Sequence, residues 1–106
     1  MKQEVKTKIQ KAQKEGYTVT PITSEDGKYT MYLRNPTRLE YGRFRQKYRT
    51  NDVEACEFLA NTTYIAGDRE IVDQDEYFFS SMDEMLGIIQ IKGVSLGKPL
   101  QNLGQS

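Results

Sequence analysis

Six basic side chains, Arg34, Arg38, Arg43, Arg45, Lys47 and Arg49, are interleaved with Tyr41, Phe44 and Tyr48 and opposed only by Glu40. Guanidinium groups pair with phosphates or carboxylates, and aromatic rings stack on bases. The combination therefore suits either a nucleic-acid backbone or an acidic protein surface. Spacing bears on the choice. Tyr41, Phe44 and Tyr48 recur at helical intervals on one face, so packing into a core is their simpler use, with the arginines on the opposite, solvated side. The next segment is strongly acidic and repels a nucleic-acid backbone, which favours a protein partner. The residues expected to meet that partner are Arg34, Arg38, Arg43, Arg45 and Arg49, together with Lys98 and Leu100 near the C-terminus.

Catalytic chemistry finds little to work with. The chain has no histidine, the commonest general base and metal ligand. Its one cysteine, Cys56, follows Val53 at helical spacing beside Leu59 and Ala60, and so reads as a small buried apolar residue; a nucleophilic thiol needs a base or cation to lower its pKa. The carboxylates Asp68, Glu70, Asp73, Asp75 and Glu76 invite a calcium reading, but a loop begun at Asp73 has Phe78 where its sixth position requires glycine. No catalytic residue, metal or cofactor is expected, and the acids read as solvated surface.

The formal net charge is zero but unevenly placed. Residues 1–49 hold 12 basic and 5 acidic side chains, a net +7. Residues 50–86 hold ten acids against Arg69 alone, a net -9, and residues 87–106 add +2. Such segregation either cancels inside the fold or leaves complementary faces through which copies attract. A single cysteine excludes an internal disulfide, and the opening MKQEVKTKIQ is unlike a secretion signal. No window nears the roughly 20 apolar residues of a membrane span. A soluble protein of the reducing cytoplasm is expected.

The elements that must position these groups are legible in outline. Val5, Ile9 and Ala12 make a thin apolar stripe on a helix over residues 3–15 that Gly16 stops. Tyr17–Thr20 and Tyr29–Leu33 flank a turn containing Asp26-Gly27, predicting a β-hairpin whose first strand, with Pro21, lies at an edge. Thr37 with Glu40, Asn51 with Glu54, and Asp73 with Glu76 each set a carboxylate three places after a cap residue, predicting helices near 38–49, 52–65 and 74–90. In the third, Val72 and Tyr77 are placed for a hydrophobic staple, and Phe78, Met82, Met85, Leu86 and Ile89 form the core face. The expected architecture is one small α+β domain over residues 1–91, with an extended C-terminal arm over 92–106.

The run Tyr29 to Arg38, with its Tyr-Leu-Arg-Asn-Pro-Thr-Arg step, is followed by Asp52-Val53-Glu54-Ala55, Glu57-Phe58-Leu59, Gly67-Asp68 and Asp73-Gln74-Asp75-Glu76. Over about residues 17–90 this pattern resembles small morphogenesis and virion proteins of tailed bacteriophages, including those of crAss-like phages and tail assembly chaperones. The resemblance implies a non-enzymatic auxiliary capsid or other virion subunit. Its contacts would be with a major capsid or tail protein, with self-association open, first in the host cytoplasm and then in the virion. A tail assembly chaperone stands second, and a small nucleic-acid-binding regulator, from the basic segment, third.

Overall fold

The computed structural model describes residues 1–89 and 93–104. Among these the architecture is α+β: helices α1 (Gln3–Lys14), α2 (Arg38–Tyr48), α3 (Asp52–Thr63), α4 (Glu70–Asp73) and α5 (Asp75–Leu86), with strands β1 (Val19–Thr23), β2 (Thr30–Arg34) and β3 (Tyr64–Gly67). The strands form an antiparallel sheet in the order β1-β2-β3. Pro21 lies on the edge strand β1, as its missing N–H requires.

β2 sets the layering because its side chains alternate. Met31 and Leu33 are fully buried on one face, in the main core with Ala55, Cys56, Leu59, Ile71, Phe78 and Met85 from α3, α4 and α5. On the other face Tyr32 pairs with the buried Ala66 of β3, and α1 packs on β3 and β1 with Ala12 buried. The sheet is thus held between α1 and the remaining helices. α1 ends at Gly16, whose φ of 95° completes a Schellman motif: the amides of Gly16 and Tyr17 donate to the carbonyls of Gln13 and Ala12.

Two elements were not foreseen. β3 occupies the end of the segment expected to be helical to residue 65. Tyr64 leaves the helix with extended backbone, and Ile65 is the extra residue of a bulge between the pairs Tyr32–Ala66 and Leu33–Tyr64. The strand ends at Gly67, where a side-chain carbon would lie 2.5 Å from the Thr30 carbonyl and the φ of 101° is left-handed, so glycine is demanded twice. Asp68 then closes the ladder, its carboxylate accepting from the Thr30 amide while its own amide donates to the Thr30 carbonyl.

The second element is α4, which corrects the expected start of the last helix. Asp73 is the final residue of α4 and takes a hydrogen bond from Arg69, while Gln74 caps α5 without a side-chain bond. The proposed Asp73 cap is therefore not formed, and with Gln74 as the cap Val72 and Tyr77 no longer hold the staple positions; Tyr77 stacks edge-on against Tyr29 and donates to Asp26. The other two caps match expectation, Thr37 with Glu40 as a reciprocal box and Asn51 accepting from the Glu54 amide. α5 ends at Leu86, and two turn bonds, Ile88 to Met85 and Ile89 to Leu86, carry Ile88 into the core. Of the expected core face, Phe78 and Met85 are buried while Met82, Leu86 and Ile89 pack at its margin.

Residues 93–104 have no regular structure, and Val94, Leu96, Leu100 and Leu103 are all exposed. The Cα radius of gyration, 18.2 Å, exceeds the about 13 Å of a compact chain this long because the arm stands away. The expected boundary at residues 91 and 92 lies outside the described residues.

Two measurements test this account. Met85→Ala should lower unfolding stability by about 2–5 kcal/mol, and Leu86→Ala by clearly less, because only Met85 is enclosed on all sides. Equal urea midpoints for the two variants would misplace the α5 core face. Removing residues 93–106 should leave the midpoint of thermal unfolding within error of the parent, since the described part of the arm adds no buried apolar contact.

Candidate functional site

Of the expected partner-binding residues, Arg34 is engaged within the chain. At the end of β2 its guanidinium makes a two-pronged pair with Glu40 of α2, at 2.7 and 2.9 Å. It also donates to the carbonyls of Thr62 and Asn35, at 3.1 and 3.2 Å, and lies 4.7 Å from the Tyr17 ring centre. One side chain thus joins β2, α2, the end of α3 and the residues after α1. The pair is largely screened from water, with side-chain exposures of 15% and 18%. Arg34 is therefore a structural tie, a correction to its expected role at a partner surface.

The carboxylate of Glu40 has a second task, accepting from the Thr37 amide at 2.8 Å to complete the α2 cap. The Arg34 hydrogen bonds hold its pKa down to about 2, with the Thr37 bonds assisting against burial. Arg69, the one base of the acidic segment, acts in parallel: it donates to Asn61 of α3 at 2.7 Å and to Asp73, and lies 5.0 Å from the Tyr64 ring centre.

Four other arginines remain. Arg38, Arg43, Arg45 and Arg49 are exposed, and none forms an ion pair among the described residues. α2 and its C-cap residue Arg49 present them around Leu39, Gly42 and Gln46, which with Arg38 and Arg43 line a shallow depression. Leu39 is 64% exposed. The opposite side of the helix is the anchored one: Phe44 is buried, Tyr41 packs on the core, and Lys47 reaches Glu54 of α3 at 3.6 Å. Tyr48, expected beside them, is 45% exposed, because it lies in the last turn and leans on Phe44. Arg45 is near the Tyr41 ring, 5.9 Å from its centre. Lys98 and Leu100 are exposed in the arm, and no hydrogen bond or ion pair joins them to α2 among the described residues.

Leu39 and Gly42 were missed in the sequence, although Gly42 carried a signal. A glycine within a helix costs about 1 kcal/mol relative to alanine. A side-chain carbon there would meet nothing within 4 Å, so no contact within the chain demands glycine.

A second concavity, about 320 Å³, lies between the hairpin loop and α5. Ile22 and Ile71 contribute to its lining, and Glu25, Asp26, Glu76 and Glu84 supply carboxylates. Asp26 is already bonded: it accepts from Tyr77 at 2.6 Å, Ser24 at 2.7 Å and the Lys28 amide at 3.0 Å. Those bonds, the Tyr77 one foremost, lower the Asp26 pKa to about 2 and raise that of Tyr77 to about 12. The arrangement pins the hairpin loop to α5. Among the described residues no cluster of three or more potential ligands can hold a metal ion, and no helix is long and apolar enough to cross a membrane. Cys56 is fully buried, and burial, then Asp52 and Asp83, push its thiol pKa up, away from a nucleophile's range.

Arg34 and Glu40 give a pH signature. Glu40 has a depressed pKa in the fold, so its contribution is fully present above the unfolded value near 4.5 and is lost as pH falls toward about 2. Glu40→Gln should flatten that acid limb of the stability curve, leaving the part due to Asp26, and Arg34→Met should cost about 1–3 kcal/mol at neutral pH. Parallel acid limbs for Glu40→Gln and the parent would show that the pair contributes nothing.

No protein-family model, curated protein or solved structure matches this chain.

Proposed function

We propose that this chain is a non-enzymatic assembly subunit that docks through the arginine face of α2 onto a carboxylate-bearing protein surface. The observation that carries the reading is the set of Arg38, Arg43 and Arg45 on one helix with Arg49 at its C-cap, without ion pairs among the described residues, around the exposed Leu39 and Gly42. Arginine with an apolar centre is the composition of a protein interface, where the planar guanidinium pairs with carboxylates in two-pronged geometry. Polyanionic nucleic acid is disfavoured by the acidic side chains of α3 and α5 in so small a molecule.

The resemblance over about residues 17–90 supports a setting in tailed-phage particle assembly, with an auxiliary capsid or other virion subunit first and a tail assembly chaperone second. The exposed arm, with Lys98 and Leu100, supports the first: an extended apolar segment gains order and burial on a neighbouring subunit. Arg34 serves this function indirectly, by fixing α2 on the fold.

Mass spectrometry of purified particles should detect the chain at fixed copy number, whereas a chaperone would appear only in soluble tail-protein complexes. Replacing Arg43, Arg45 and Arg49 together by glutamate should leave the circular dichroism spectrum unchanged and lower incorporation about tenfold or more. A folded triple variant that incorporates like the parent would reject α2 as the docking face.

A further inference from the structure

The arginine face of α2 has a counterpart on the same molecule. α5 buries Phe78, Ser81 and Met85 and turns Asp75, Glu76, Phe79, Ser80, Asp83 and Glu84 to solvent. Its four carboxylates form no ion pair among the described residues, as is true of Arg38, Arg43 and Arg45 of α2 and of Arg49 at its C-cap. Each face also carries one large exposed apolar side chain, Leu39 at 64% on α2 and Phe79 at 57% on α5. Their lengths match. Arg38 to Arg49 spans about 16 Å of helix and Asp75 to Glu84 about 14 Å at the usual rise per residue.

From this complementarity we infer that the partner of the α2 face is the α5 face of a second copy of this chain, in a head-to-tail contact. The inference rests on the docking role of α2 proposed above and names its occupant. α3 packs against both α2 and α5, which keeps the two faces apart, so the opposite charges do not pair within one molecule. Between molecules they can pair. Gly42 gives the contact a specific use: with no side chain at the centre of the α2 face, a bulky residue such as Phe79 can approach the helix backbone. A glycine that no internal contact requires is thereby accounted for.

The two faces differ, so the contact is heterologous, and an open assembly of any length keeps one free face of each kind. Such contacts propagate as a ring if the rotation closes and as a filament if it does not. One helix pair is smaller than the about 1,200–2,000 Å² of a stable standard interface, so the contact is weak singly and gains strength by repetition or on a template. Its charge-pairing component is sensitive to salt.

Analytical ultracentrifugation of the full chain, alone and in mixtures, tests the inference. The parent should form concentration-dependent oligomers at about 30 mM salt that dissociate at about 500 mM. Two folded variants each block one face: Arg43→Glu with Arg45→Glu and Arg49→Glu, and Asp83→Lys with Glu84→Lys. The second pair lies in the last turns of α5, where lysine suits the helix dipole. Each variant alone should associate about tenfold or more weakly than the parent. Mixed in equal amounts they offer an intact α5 face to an intact α2 face and a reversed α2 face to a reversed α5 face, so association should be recovered between the two variants, in alternating order. Gly42→Leu should weaken parent association without lowering the thermal midpoint, since leucine is the better helix former and has free space in the monomer.

A parent that stays monomeric at low salt would overturn the inference. So would block variants that each self-associate like the parent, or a mixture in which association is not recovered. If the α5 variant enters particles normally while the α2 variant does not, α2 docks on another protein: the head-to-tail contact fails and the docking role stands. Normal entry of both variants would remove the docking role too.

Discussion

The placement of α2 depends on the ion pair between Arg34 and Glu40. A helix of this length in water is marginal by itself, and α2 has only Phe44 fully buried. To the packing of Phe44 and Tyr41 it adds Glu40, which caps the helix at Thr37 and grips the end of β2 through Arg34, while the same guanidinium reaches the end of α3 at Thr62. A point where three elements meet is therefore fixed by directional bonds as well as by apolar contact. Apolar packing tolerates small rotations, whereas a two-pronged carboxylate–guanidinium pair does not. The orientation of Arg38, Arg43, Arg45 and Arg49 follows from that placement.

Much of this was legible from local sequence. The Thr37–Glu40 and Asn51–Glu54 spacings marked true helix starts, Asp26-Gly27 a true turn, and Val53, Cys56, Leu59 and Ala60 a face packed on the core. What failed to show itself depended on distant partners. Tyr64 to Gly67 continue an apolar helical pattern, and only the open edge of β2, more than thirty residues earlier, draws them into a strand. Asp73 looked like a cap because a carboxylate follows it at the right interval, yet Asp73 ends α4 and Arg69, at the N-cap of that helix, claims its side chain.

The site residues divide along the same line. Arg34 and Arg38 stand four apart in one basic run, and nothing local distinguishes them. Arg34 ends a strand above Tyr17 and within reach of Glu40 and Thr62, whereas Arg38 begins a helix on its solvent side. The charge asymmetry was visible in the order of residues, but whether it cancels within the fold depended on the layering. α3, carrying acids of its own, pairs Glu54 with Lys47 and so draws part of the negative charge against α2. Four of the others, Asp75, Glu76, Asp83 and Glu84, stay outward on α5.

The burial of Cys56 makes the molecule its own stopwatch. At 0% exposure in the middle of α3, with a raised thiol pKa, the side chain is closed to an alkylating reagent while α3 stays packed. It is also the only thiol in the chain, so any label reports one position. Where reclosing outpaces modification, the labelling rate reads the free energy of the opening that frees this helix; where modification is faster, it reads how often the helix opens. A single unmodified sulfur thus carries a kinetic record of how firmly the layer between α2 and α5 is held.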